Sequence, residues 1–370
     1  MTPPTTVIHG EPSVAVASDT VTAWMTLRGN HIAPVEFHLP AGTITPYSLA
    51  PWLPEELADG DPLLAVLRGD FWCLPFGAQP DGPAHGETSC GQWELTQRDS
   101  HSAQLRMDAG DVGGRIDKTV SVRDGQAALF QEITMSGLEG AFSYGTHPIL
   151  DLSAFPTGTA RISSSDTRWS AVFTGVFSDP EHGERQILKP GAEFEDVSAI
   201  TRIDGGTLDL SRYPTGELHE DLVMLTQTGN DNHLGWTAVS APGYVWCALK
   251  DVRDFPSTVL WVSNGGRTQA PWNGRHIGRL GVEDVCSYFH EGLEPSREDR
   301  LAEQGIATTR EFHADQPITL RVLQAMVATP ADFGRVVEIH TPQHGTIRVV
   351  DEQGIVVEAA IDWQFVLADN

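Results

Sequence analysis

At 370 residues, 40% of them hydrophobic, the chain can bury a large core, and its 36 Gly and 24 Pro mark frequent turns rather than disorder. With 50 acidic against 24 basic residues the formal net charge is −26, which excludes the basic footprint that nucleic acid or an anionic membrane requires. No apolar run has membrane length, Met1 to Gly10 lacks a signal pattern, and Cys73, Cys90, Cys247 and Cys286 lie far apart without C-x-x-C; the expectation is a cytoplasmic protein with reduced, buried thiols.

In chain order, Val21 to Leu27 and Ile32 to Leu39 read as short strands, and Pro54 to Leu57 as one helical turn with Pro at its start. Leu67 to Trp93 begins as an apolar strand at Phe71 to Leu74. It then breaks at Pro75, Gly77 and Pro80 to Pro83 into a loop tipped by His85-Gly86, a common way to build a binding cleft. Ile116, Val120 and Val122 share one parity, Asp124-Gly125 reads as a tight hairpin turn, and the return strand Leu129 to Met135 puts Ile133 and Met135 on one face.

Further strands are expected at Ala160 to Ser163, Thr207 to Leu210, Val245 to Leu249, Thr258 to Val262 and Ile318 to Val322. Thr346 to Val350 and Ile355 to Ala359 flank a turn at Asp351 to Gly354. The one expected helix is Ser296 to Gln304, capped by Ser296 with Asp299 at the reciprocal position and ended by Gly305. Many short strands and little helix predict an all-β fold, a large antiparallel β-sandwich with few short helices. No repeat or linker divides the chain, so one domain over 1–370 is expected.

Three islands carry chemistry. The first is R-G-D-F-W-C-L-P-F-G at Arg68 to Gly77 followed by P-A-H-G at Pro83 to Gly86 and by Trp93; the second is T-H-P-I-L around His147; the third is L-G-V-E-D-V-C at Leu280 to Cys286, behind W-N-G-R-H at Trp272 to His276. Together and in this order they resemble the sugar mutarotases, the aldose 1-epimerases and hexose-6-phosphate epimerases, in which "F-P-x-F-G" precedes "H-G-F-A-R". Glu87-Thr88-Ser89 stand where that family has Phe-Ala-Arg, and the missing Arg disfavours a sugar phosphate. The family's usual Arg before the His-Gly and its substrate-binding Asp have no counterpart placed here.

The resemblance implies a galactose mutarotase-like supersandwich that works without cofactor or metal on a small-molecule carbohydrate, as a monomer or homodimer. It also implies roles: Glu283 falls on the family's catalytic base, His147 is the acid, and His85 donates a hydrogen bond near the sugar ring. Read alone, His147 is more often a hydrogen-bonded structural histidine, an order that pairing with the His85 loop reverses, and the alternative for Glu283 is a solvent-facing sheet edge. Alternation sends Glu283 and Asp284 to opposite faces, so one of them points inward, where an unpaired carboxylate costs several kcal/mol.

Trp72, Trp93, Trp272 and Trp261 are candidates for stacking on a sugar face, with core packing as the alternative for each. Asp70, Arg267, Asn273 and Arg275 are candidates for reading hydroxyls. Two other classes remain open: a non-catalytic carbohydrate-binding protein, and a lyase or hydrolase using Tyr144 or Tyr288. A metal held by His85 and His147 lacks a placed third ligand. Asp251/Asp254 and Glu298/Asp299 read as solvated faces rather than a glycosidase dyad.

Overall fold

A computed structural model describes residues 5–57 and 60–368. Two large antiparallel sheets form the body. The nine-stranded sheet runs Arg212–Tyr213, Ala160–Ser164, Leu234–Ala241, Tyr244–Asp251, Ile318–Ala328, Gln126–Ser136, Gly114–Arg123, Ser102–Ala109 and Glu94–Arg98. The seven-stranded sheet runs Thr167–Val172, His219–Gln227, Ser257–Asn264, Arg279–Cys286, Tyr144–Thr146 and Trp72–Cys73, with Ile149–Asp151 also paired to Arg279–Cys286. An N-terminal five-stranded meander from Thr6–Ile8 to Gly42–Ile44 packs onto the same core, and a three-stranded sheet, Val336–Gln343, Thr346–Asp351 and Val356–Ala360, stands near the C-terminus.

Alternation sorts the side chains into three layers. Ile116, Val120, Val122, Ile133 and Met135 from the larger sheet meet Val223, Leu225, Leu260, Val262, Leu280 and Val282 from the smaller one in the central core. The opposite face of the larger sheet, through Phe130, Trp236, Leu249 and Leu323, packs on the C-terminal sheet and the 3-10 turn Trp363–Leu367. The opposite face of the smaller sheet, through Met224, Val259, Trp261 and Val285, is covered by loops bearing Trp52, Leu63, Phe76 and Phe289.

The expected hairpin at Asp124-Gly125 forms, with Gly125 at φ +72, and the 3-10 turn Pro54–Glu56 sits where Pro at the start predicted it. The expected helix over Ser296 to Gln304 does not form as one element. An α-helix occupies Leu293–Arg297, a 3-10 turn follows at Ala302–Gln304, and Asp299 between them takes φ +52. Ser296 therefore lies inside the helix, buried, with its hydroxyl donating to the Gly292 carbonyl at 2.7 Å instead of capping. Gly305 does end the 3-10 turn, at φ +65.

Asp251 and Asp254 are not a solvated face. Asp251 is buried with Arg253 on it, and Asp254 takes the guanidinium of Arg310. All four cysteines are free, and all but Cys90 are buried. Among the described residues no helix is long and apolar enough to cross a membrane.

Candidate active site

The covered face of the seven-stranded sheet holds a cavity of about 350 Å³, within the usual range of small-molecule sites. His85, His147, His290, Glu283, Trp261, Trp272 and Arg267 line it, with Leu63, Leu64 and Leu67 closing one side. A wider groove of about 600 Å³ lies beside the C-terminal sheet, but its His340 and Arg348 face solvent and pair with Glu338 and Glu358.

Sheet register brings the second and third islands together. Tyr144–Thr146 and Ile149–Asp151 both pair with Arg279–Cys286, with Gly145 opposite Val285 and Ile149 opposite Gly281. Either register, extended, sets His147 opposite Glu283. Pro148 has no N–H for the ladder, and the strand breaks there. The His147 N–H turns instead to the Phe71 carbonyl at 3.1 Å and to Asp70 Oδ1 at 2.9 Å. The His147 ring stacks on Phe71, centroids 4.6 Å apart, and its Nε2 lies 3.3 Å from Glu283 Oε1.

Both members of this pair are buried, and that sets their charge. Burial pushes the Glu283 carboxyl well above its usual value and pulls His147 down to about 3. Burial thus favours the uncharged form of each, the carboxylic acid and the neutral imidazole. Among the described residues Glu283 Oε1 and His147 Nδ1 make no protein hydrogen bond, and Glu283 lines the cavity. Gly281 keeps the space open: a Cβ there would come within 2.4 Å of Glu283 Oε1 and 2.9 Å of Trp261 Cβ.

The first island supplies His85. Its N–H donates to the Gly77 carbonyl at 2.7 Å, and the Gly77 N–H donates to His85 Nδ1 at 3.1 Å. Because Nδ1 accepts, the proton of the neutral ring sits on Nε2, making that atom a donor. The ring lies edge-on to His147, centroids 4.9 Å apart, and burial, followed by the neighbouring His147, holds its pKa well below the usual value. Gly86 is required where it stands, since at φ +73 a Cβ would lie 2.0 Å from the Leu74 carbonyl oxygen.

Not every expected site residue reaches the cavity. Asp70 is fully buried behind His147, where Oδ2 accepts from Gln131 Nε2 at 2.5 Å and Gln324 Nε2 at 2.7 Å. Trp72 stacks on Tyr144 in the central core, and Trp93 is buried with its indole N–H donating to the Thr88 carbonyl at 3.1 Å. Asn273 occupies an exposed turn at φ +47, and Arg275 pairs with Glu56 at 2.8 Å outside the cavity. Trp261, Trp272 and Arg267 do line it. Tyr144 donates to the Asp254 carbonyl at 2.8 Å, and Tyr288 lies under Arg300, so neither lines the cavity.

Both acids of the third island are buried, not one. Asp284 faces the central core, where Lys250 Nζ lies 2.8 Å away and the Thr258 hydroxyl donates at 2.7 Å. The structure also adds residues that the motifs did not mark. His290 lines the cavity, its pKa lowered to about 4 by burial. Glu220 lies fully buried beside Trp261, accepting from its indole N–H at 3.0 Å and from the Ser263 hydroxyl at 2.7 Å. Burial raises Glu220 to about 7 against the opposing pull of Arg267 and these donors. The available signal was the acidic pair Glu220-Asp221 directly ahead of the apolar run Leu222 to Leu225. Among the described residues no group of three or more His, Cys, Asp or Glu is placed to hold a metal ion.

No family model and no curated protein matches the chain. Solved structures do. A galactose mutarotase-related enzyme from Lactobacillus acidophilus aligns over 86% of this chain and 98% of its own, at 10% identity and a TM-score of 0.55. A candidate aldose 1-epimerase from Escherichia coli K12 aligns over 86% and 99%, at 12% identity and 0.56. A candidate mutarotase from Salmonella typhimurium aligns over 86% and 91%, at 13% identity and 0.56. Such identities speak for architecture, and on that evidence the chain has the galactose mutarotase-like fold.

Proposed function

We propose that this protein is an aldose 1-epimerase-like isomerase that interconverts the α and β anomers of a free sugar. The observation that carries the reading is the approach of His147 Nε2 to within 3.3 Å of Glu283 Oε1 at the floor of the cavity, with His85 beside them. In this reading Glu283 takes the proton of the anomeric hydroxyl while His147 delivers a proton to the ring oxygen, and the C1–O5 bond breaks to give the open-chain aldehyde. Rotation about C1–C2 and the reverse proton transfers close the ring on its other face. His85 Nε2–H steadies the ring oxygen region, and the indole of Trp261 offers an apolar face to the sugar's C–H bonds.

The test is exchange NMR on a panel of free aldoses, with the protein and with its Glu283→Gln variant. Accelerated exchange that the variant loses by about 100- to 10,000-fold is the expected result, the usual contribution of a positioned acid or base. Saturable binding without any acceleration would replace the isomerase with a carbohydrate-binding protein on the same scaffold.

A further inference from the structure

Among the described residues that line the cavity Arg267 is the one cationic side chain, and apart from its pull on the nearby Glu220 no acid of the protein engages it. Arg267 lies with its guanidinium carbon 4.9 Å from the Phe177 ring centroid, 4.9 Å from that of Trp272 and 5.9 Å from that of Trp261. These rings brace a planar fork of donors, yet among the described residues its guanidinium makes no hydrogen bond or ion pair. Neighbouring arginines behave differently: Arg275 is bound to Glu56, Arg185 to Glu217 and Arg279 to Asp151. The three histidines of the cavity are held neutral by burial, so they do not share the cationic role.

Position matters as much as charge. The Trp261 ring lies 5.8 Å from the His147 ring and 5.9 Å from the Arg267 guanidinium. A ligand that reaches both residues has to cover one indole, comparable to a pyranose laid from C1 to the substituent on C5. We infer that the cavity selects an aldose bearing one carboxylate at that far end, a hexuronic acid, with Arg267 as the carboxylate's partner. This rests on the isomerase reading of the same site and adds the substrate class.

A carboxylate fits better than a phosphate for two reasons. A guanidinium fork matches a carboxylate one to one, whereas a phosphate presents more acceptors than a single arginine satisfies. The surroundings also disfavour a second negative charge: Asp61 stands on the rim, and the chain carries −26 overall. A dianion meets about twice the repulsion of a monoanion there.

The experiment compares kcat/KM for anomer exchange of D-galacturonate and D-glucuronate with that of galactose, glucose and their 6-phosphates, and measures direct binding of each. The expected result is a preference for the uronates that falls about 10- to 100-fold in Arg267→Gln, as loss of a charge-assisted contact does, and falls less in Arg267→Lys. Neutral sugars or 6-phosphates exchanged as well as the uronates would overturn the inference and leave the isomerase standing. Uronate binding that weakens in Arg267→Gln, with no sugar exchanged, would support the carboxylate subsite and remove the isomerase. Absence of uronate binding would overturn the subsite. If Arg267→Gln fails to fold, the Arg267→Lys ratio decides, because the charge remains and only the fork is lost.

Discussion

Replacing Asp70 by Asn separates a residue that reads substrate from one that holds the site in place. Asp70 accepts three hydrogen bonds, from the His147 N–H at 2.9 Å and the side-chain amides of Gln131 at 2.5 Å and Gln324 at 2.7 Å. If Asn keeps its oxygen toward His147, its NH₂ faces both glutamine amides. Gln131 can turn over, since among the described residues its Oε1 has no partner, but Gln324 Oε1 already accepts the Tyr47 hydroxyl. One buried donor is then left facing a donor, at roughly 1–3 kcal/mol. Lys118, fully buried and lowered to about 8 by desolvation, also loses the anion that most favours its charge, which brings the total to about 2–5 kcal/mol.

The sign with pH follows from Lys118. Its folded pKa of about 8 lies below the unfolded value of about 10.4, so parent and variant alike gain stability as pH rises between those values, while the variant's added penalty, the cost of a charge the folded state carries only below about 8, shrinks as pH rises through about 8. Urea denaturation at about pH 7 and about pH 9.5 measures both effects. Anomer exchange should show kcat lowered about 10- to 100-fold with KM little changed, because His147 loses its anchor rather than the sugar a contact. A variant as stable as the parent within about 0.5 kcal/mol, with KM raised and kcat kept, would refute this and return Asp70 to the substrate.

Asp284→Asn should cost about 3–5 kcal/mol in urea denaturation, because it strips the buried Lys250 of its ion-pair partner at 2.8 Å; Glu283→Gln, next door, where burial favours the neutral acid, should change stability by less than about 1 kcal/mol. Equal losses in the two variants would contradict the assignment of opposite faces. Glu220 carries a folded pKa near 7 against about 4.3 unfolded, so its contribution is complete below about pH 4.3 and lost as pH rises through about 7. Relative to Glu220→Gln, the parent should lose about 3 kcal/mol of stability between about pH 4.5 and about pH 8, and parallel curves would disprove it. Anomer exchange should show no imidazole inflection between about pH 6 and about pH 7, since burial moves His147 to about 3; a His147→Gln-sensitive inflection near about pH 6.5 would show an ordinary solvated imidazole instead.

The fold was legible because its signals are local. Alternation over Ile116 to Val122 and the Asp-Gly turn after it need no knowledge of distant residues, and both stand in the structure. Ser296 misled because its hydroxyl found a carbonyl one turn back within the helix, a competition that capping rules do not resolve. The site was legible only in part. Lys118, Gln131 and Gln324 each occupy a core-facing position of an apolar strand, visible as breaks in the alternation, but their convergence on Asp70 depends on pairing between Gln126–Ser136 and Ile318–Ala328. Trp72 and Trp93 carry the residue type that stacks on sugars, yet strand parity and the loop path turned both to the core. Glu220 escaped notice since its neighbours in space, Trp261, Ser263 and Arg267, follow it by about 40 residues.

The burial that favours the uncharged forms of Glu283 and His147 bears on how the proposed reaction would run. Ring opening needs a carboxylate to receive the anomeric proton and an imidazolium to supply the ring oxygen, and in a cavity walled by Leu63, Leu64, Leu67 and Trp261 that ion pair is expensive without polar partners. A sugar supplies them, since its hydroxyls can donate to Glu283 Oε1, the oxygen the protein leaves unpaired, and accept from His147. The proton that passes from acid to imidazole has only the 3.3 Å between Glu283 Oε1 and His147 Nε2 to cross, so forming the reactive state moves one proton and adds no net charge to the cavity. Opening the ring then returns the pair to the acid and imidazole that burial favours, and closing the ring reverses the transfer. On this account substrate hydroxyls do more than bind: they create the ionised pair, and a sugar that fills the cavity without reaching Glu283 is bound but not isomerised.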